Sequence, residues 1–333
     1  MSEQSAYPFL SRWMAGAKAN HPLSRMIDAD AKTDDSQSGS RAALAAYDTI
    51  IETLEVASPL RLDGERAEFR RADTDDALLI VRAELAAGAK LARSGVIFEY
   101  GQRGGPPQPD LILSARDLAI EVKTRRLDGF ENLNEELESA LAEINAPVVV
   151  QVLFDERPLI LKPADRARVV EWTIERVQRR ERGIAEMSVQ QPWAARHRLL
   201  IAVQIIEPEA PPTGRRLITH TGGTLSGHFQ DLETAVLEIL NDGQKIRQAE
   251  AMPTILMVEA SRSGLAWMRP QRTWATRLAE QLPGTTPFRG VGVMISSLDS
   301  PDVSLSIGVR RDVSPSDASA IHRLAKDLGL SGP

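Results

Sequence analysis

Positions 107 to 126 read PQPDLILSARDLAIEVKTRR. Two acidic residues, Asp110 and Glu121, and a lysine, Lys123, stand there within runs apolar enough for two short strands joined by a turn. In a strand, successive side chains point to opposite faces, so Leu118, Ile120 and Val122 share one face and Ala119, Glu121 and Lys123 the other. Hairpin pairing of 110–114 with 118–124 can set the Asp110 carboxylate beside that of Glu121. Two converging carboxylates repel each other unless a cation sits between them. Mg²⁺ suits the position, because it takes oxygen ligands, accepts one or two carboxylates and keeps several waters. An ammonium at Lys123, pointing into the same space, can hold or help deprotonate a water and offset charge developing on a phosphorus. Water on a metal is a far better nucleophile than bulk water, and the metal steadies the leaving oxygen as well. The same letters also have a plainer use. E-x-K on one strand face is a common cross-strand ion pair, and P-D is a frequent turn dipeptide that recurs at 301–302 with no E-x-K downstream.

The surrounding elements must bring these groups together. RAALAAYDTIIETLEV (41–56) has helical spacing, with Leu44, Tyr47, Ile51 and Leu54 on one stripe. The helix DTDDALLIVRAELAAGAKLARSG follows, opening on acidic residues at its positive dipole end and stopping at Gly95. Three strands are predicted next, at 96–100, 110–114 and 118–124, separated by Gly/Pro-rich and ARD turns. Helix 131–145, strand VVVQVLF, a helix over about 163–182 and strand 198–206 continue the chain, with EPEAPPTGRR as a loop. Helix DLETAVLEILNDGQKIRQAEA then leads through a proline into strand 254–260. A helix near 272–282, strands GVGVMISSL and VSLSIGVRR, and a last helix capped by Ser314 or Ser316 complete the reading. Strands alternate with helices, so the fold class is α/β (α+β) around a mixed sheet. There is no internal repeat.

Composition narrows the field. The chain has 333 residues, 42% hydrophobic and 26% charged, ample for a core. Zero cysteines exclude disulfides, thiolate zinc sites and a cysteine nucleophile. No stretch approaches the roughly 20 apolar residues of a membrane span, and no secretory leader is evident, so a cytoplasmic location and no membrane partner are expected. A net charge of −6 argues against a generally basic coat for nucleic acid, though not against a local basic groove. Basic residues do bunch, at Arg125–Arg126, at Arg176, Arg179, Arg180 and Arg182, and at Arg215–Arg216, where solvated faces are the ordinary use. His220 and His228 lack the spacing of a metal site. Trp172, Trp193, Trp267 and Trp274 could stack on bases, but core anchoring is the commoner role.

P-D at 109–110, ten intervening residues and E-V-K at 121–123, behind a helix and a strand, resemble the PD-(D/E)XK nuclease superfamily, which includes many restriction endonucleases. The resemblance covers roughly residues 76 to 124 and resumes over 231–260. It implies a restriction-endonuclease-like αβββαβ core with Mg²⁺ (or Mn²⁺) as cofactor. Asp110, Glu121 and the backbone carbonyl of Val122 would be its ligands, and Lys123 the residue serving the water. It further implies an auxiliary catalytic and metal-ligating role for Glu84, on the helix before the first strand, and a helix before the fourth strand bearing Gln244, Lys245 or Gln248, a role for which helix 131–145 competes through Gln151 beyond it. Nucleic-acid contacts are expected from Arg125, Arg126, Lys245 and Gln248. The implied activity is metal-dependent endonuclease hydrolysis of phosphodiester bonds in DNA, with a homodimer expected because one site per chain must cut two strands. The alternative is a catalytically inactive version of the fold that binds nucleic acid or protein. The expected organisation is a flexible segment at 1–40, a helical extension at 41–75, and a nuclease-like domain at 76–300 with an insertion at about 125–230. A terminal strand and helix at 301–333 would pack on that domain.

Overall fold

The structure is a computed structural model, and it describes residues 6–32, 39–124, 130–142, 144, 149–154, 163–190, 198–206, 216–221, 236, 240, 243–260 and 272–330. The chain divides into two compact units, Met1–Arg125 with Val236–Pro333, and Arg126–Ala235.

The first unit is built on a six-stranded mixed sheet. In chain order its strands are β1 (Glu99–Tyr100), β2 (Leu111–Leu113), β3 (Leu118–Thr124), β8 (Thr254–Glu259), β9 (Phe288–Ser296) and β10 (Val303–Val309), and they lie side by side in that order. β1, β2 and β3 form an antiparallel meander, β8 and β9 add in parallel, and β10 closes the sheet antiparallel. β3, up to Val122, and β8 are buried on both faces, and TILMVE accordingly reads as a near-continuous apolar run. The strand expected at 96–100 is shorter than its apolar letters suggest. Gly95 turns the chain at φ +69°, Ile97 stays 81% exposed, and pairing with β2 begins only at Glu99.

Helix α5 (Asp75–Arg93) packs against this sheet. Thr74 caps it by accepting from the Ala77 amide, and Asp75 and Asp76 complement the positive end of its dipole. It is buried on more than the single stripe the sequence outlines, because α3 (Gly39–Ala57) covers it as well. Even Arg82 is 1% exposed, donating to Ser296 Oγ at 2.8 Å and to the carbonyls of Ser297 and Ser300, with its guanidinium 5.5 Å from the Tyr47 ring.

Within the segment at 1–40 expected to be flexible, the described residues include two packed helices. α1 (Pro8–Met14) and α2 (Pro22–Lys32) are helices, and Leu10, Trp13 and Leu23 belong to the main core. A seven-residue helix is not stable alone in water. α1 is held by its apolar stripe: Trp13 meets the Phe69 ring edge-on at 5.5 Å, its Nε1 donates to Glu55, and the Leu10 amide donates to Asp48. α4 (Leu62–Arg71) supplies Phe69, and α10 (Pro315–Asp327), capped by Ser314, closes the unit.

In the second unit α6 (Phe130–Ala142) and α7 (Pro163–Gln178) accompany a four-stranded sheet ordered β5–β6–β4–β7, from β4 (Val149–Phe154), β5 (Gly183–Gln190), β6 (Arg198–Ile206) and β7 (Arg216–Thr221). β5 and β7 are not among the strands expected from the sequence, although AEMSVQ within β5 does alternate apolar and polar letters. Pairing to β6 and to β4 makes them strands. Among the described residues no helix is long and apolar enough to cross a membrane.

One close approach gives a stability prediction. Gly308 in β10 lies under α9 (Arg272–Gln281), where an added Cβ would sit 2.3 Å from the Ala275 carbonyl oxygen. Backbone cannot rotate away as a side chain can. Gly308→Ala should therefore lower unfolding free energy by roughly 1–3 kcal/mol, measured by urea denaturation. At Gly292 the obstacle is the flexible Met257 thioether, so Gly292→Ala should be the milder change.

Candidate active site

The β2–β3 register pairs Leu111 with Ile120 and Ile112 with Ala119, and continuing it by one residue sets Asp110 opposite Glu121. Both carboxylates are buried, Asp110 at 6% exposure and Glu121 at 0%. Asp110 is pinned twice: its Oδ2 accepts from the Val122 amide at 2.8 Å, and its carbonyl accepts from Gly101 at 2.9 Å. Only glycine fits at 101, where a Cβ would lie 2.3 Å from the Pro109 carbonyl oxygen. Glu121 receives the ammonium of Lys245, from α8 (Gly243–Glu250), on Oε1, while no donor among the described residues reaches its buried Oε2.

A second buried group adjoins the pair. Glu84, on α5, is 6% exposed and Glu65, on α4, is 1% exposed. Arg103, from the loop between β1 and β2, bridges them. Its Nη2 donates to both Glu65 oxygens at 2.9 Å and also to Glu84 Oε2, and its Nε donates to Glu65 at 3.1 Å. Gly88, one turn beyond Glu84, lets the helix close on β1, because a Cβ there would fall 2.4 Å from the Tyr100 hydroxyl oxygen.

The electrostatics follow from burial. Glu121 is pushed up to about 8, by desolvation first and by the Asp110 charge second, with Lys245 pulling the other way. Glu84 is raised well above the usual carboxylate range by burial, Asp110 and Glu65, and Glu65 is raised by burial against the pull of Arg103. Burial works against the charges on Lys245 and Arg103. Asp110 and Glu121 outweigh it for the lysine, as Glu84 and Glu65 do for the arginine, so both cations are held charged.

A cleft of about 210 Å³ opens beside Asp110, lined by the loop GQRGGPPQP with Arg103 and Gln108, and by Gln248. Gln248 Nε2 donates to the Gln108 carbonyl at 2.8 Å, and its buried Oε1 has no partner among the described residues.

Of the residues singled out in the sequence, Asp110, Glu121, Lys245 and Gln248 come together here. Lys123 lies two residues beyond Glu121 in β3, on the same strand face, and is half-buried. Glu84, expected as an auxiliary metal ligand, has Arg103 and Glu65 as its bonded neighbours and senses Asp110 through its charge. Arg125 and Arg126 lie outside the described residues, as do Arg215, His228, Trp193 and Trp267. Trp274 is buried in α9, which removes it as a stacking face, and the half-buried Trp172 ring has the Arg176 guanidinium 5.4 Å from its centroid. Arg176 and Arg179 pair with Glu181 and Glu175. Arg103, Glu65 and Gln108 escape sequence reasoning. The glycine-rich run GQRGG is the one local signal that could point to Arg103.

Among the described residues no three histidine, cysteine, aspartate or glutamate side chains are grouped to hold a metal ion. A divalent cation here would draw on the Asp110–Glu121 pair, which suits Mg²⁺ with its retained waters better than a fully protein-ligated ion. Comparison with protein-family models, curated proteins and solved structures returned no match.

Proposed function

We propose that this chain is a metal-dependent nuclease of the PD-(D/E)XK type that hydrolyses phosphodiester bonds in DNA. The observation that carries the reading is the opposed, buried pair Asp110 and Glu121, with Lys123 on the same strand face and a cleft alongside. The order α5, β1, β2, β3, α8, β8, with β8 added in parallel to β3, is in keeping with the restriction-endonuclease-like core.

Asp110, Glu121 and the carbonyl of Val122 would hold Mg²⁺ or Mn²⁺. The fit rests on the buried Glu121 Oε2, a carboxylate oxygen that no donor among the described residues reaches. The ion would supply charge neutralisation at the phosphate and a lowered pKa for attacking water. The chain's own residues do the rest. Asp110 is fixed by the Val122 and Gly101 amide contacts, so its carboxylate loses little freedom when it acts. Lys123 orients the attacking water and takes up charge as the phosphorus becomes five-coordinate. Gln248 orients the cleft wall through Gln108. Arg103, with Glu65 and Glu84, fixes the charge balance behind Asp110.

A second reading, a non-catalytic nucleic-acid-binding module, draws support from the Lys245–Glu121 ion pair, which already neutralises one carboxylate. Incubation with plasmid and linear duplex in Mg²⁺, Mn²⁺ or EDTA separates the two. The nuclease cuts only with metal, and Lys123→Ala slows it by about 10²-fold or more. Retention on DNA in EDTA without cutting would favour the binding module, and neither behaviour would remove both.

A further inference from the structure

Four carboxylates, on Glu65, Glu84, Asp110 and Glu121, share one buried region with two cations, on Arg103 and Lys245. With every group ionised, the acids exceed these bases by two charges. Lys123, at the half-buried end of β3, is the next cation along. The two bases are held differently. Arg103 is gripped by three carboxylate oxygens through a rigid planar group. Lys245 is paired with Glu121 Oε1 through a flexible four-carbon stem, and its side chain keeps 15% of its exposure. Gln248, three residues on and therefore on the same face of α8, lines the cleft. The stem can thus swing toward the cleft while the helix stays in place.

We infer that Lys245 is the resident counter-ion of the Asp110–Glu121 pair in the metal-free protein, and that a divalent cation binds by displacing its ammonium from Glu121 toward the cleft. This rests on the metal-binding reading above. The buried Oε2 of Glu121, which no donor among the described residues reaches, offers the incoming ion a first foothold beside Asp110. Once seated, the ion and the ammonium repel each other in a region poor in water, which weakens the hold of Lys245 on the shared carboxylate. The released ammonium then faces the cleft, where an anionic ligand such as a phosphate would meet it.

Isothermal titration of Mg²⁺ and Mn²⁺ into the full chain tests this, comparing wild type with Lys245→Gln. Loss of the competing cation should tighten binding by about tenfold, about 1.4 kcal/mol. In the wild type, acetylation of Lys245 by an amine-reactive ester, read by peptide mass spectrometry, should rise several-fold in saturating Mg²⁺ over EDTA. That second readout needs no variant to fold. Equal or weaker metal binding by Lys245→Gln, or unchanged labelling while wild type binds metal, overturns the exchange and leaves the metal site standing. No metal binding by either protein at millimolar concentration overturns both.

Discussion

Glu121→Gln is expected to reduce metal-dependent DNA cleavage by on the order of 10³-fold while the protein stays folded. Glutamine keeps the shape of the side chain and an oxygen for Lys245, but it gives up the negative charge that would bind a cation. A glutamate that merely held the sheet together would show the reverse pattern, with lost stability and unchanged chemistry. Stability should change in a diagnostic way instead. The Glu121 carboxyl moves from its ordinary 4.5 up to about 8, through burial and then Asp110, against Lys245. A carboxyl raised on folding favours the folded state most when protonated. Its stabilising contribution is complete below about 4.5 and is lost as pH climbs toward 8. Each tenfold change in the carboxyl's proton affinity on folding corresponds to at most about 1.4 kcal/mol. In EDTA the wild type should therefore lose thermal stability across that window, and Glu121→Gln should show a flatter profile. Glu84 and Glu65 are raised as well and leave some slope in the variant. A variant that still cuts DNA at the wild-type rate would remove Glu121 from the chemistry.

Arg103→Met should be the most destabilising single change at the site. It strands Glu65 and Glu84, whose side chains are 1% and 8% exposed, without their shared cation. Breaking a buried pair by deleting one partner typically costs about 3–5 kcal/mol. The lower end, roughly 3 kcal/mol, applies because the Arg103 side chain is 39% exposed and water can replace part of its contact. Glu65→Gln and Glu84→Gln added to Arg103→Met should restore much of the loss, since neutral amides need no counter-charge, and urea denaturation of the series measures the coupling. An Arg103→Met protein within about 0.5 kcal/mol of wild type would mean that the guanidinium is not what holds the two acids in place.

The hairpin is legible in the sequence because its physics is local. The two-residue period of LAIEVKT, the short ARD turn and the proline before Asp110 suffice to set Asp110 across from Glu121. α5 announces itself through its acidic first turn and its stop at Gly95, and the last helix through Ser314 or Ser316. What stays hidden is non-local. RLDGERAEFRR gives no hint that Glu65 is 1% exposed, because burial depends on Arg103 arriving from 38 residues away. Arg82 reads as a helix-surface charge until β9 brings the Ser296 hydroxyl and the Ser297 carbonyl to it. The N-terminal letters hold only a short apolar patch, yet Leu10, Trp13 and Leu23 need only one stripe facing a partner that lies far along the chain. Lys245 shows the division most clearly. The sequence places it on a helix ahead of a strand, and only the parallel addition of β8 to β3, across an intervening unit of the chain, brings its ammonium to Glu121. Side-chain periodicity is written in neighbouring letters, whereas the charge balance of a buried site is decided by which distant segments share its low-dielectric space.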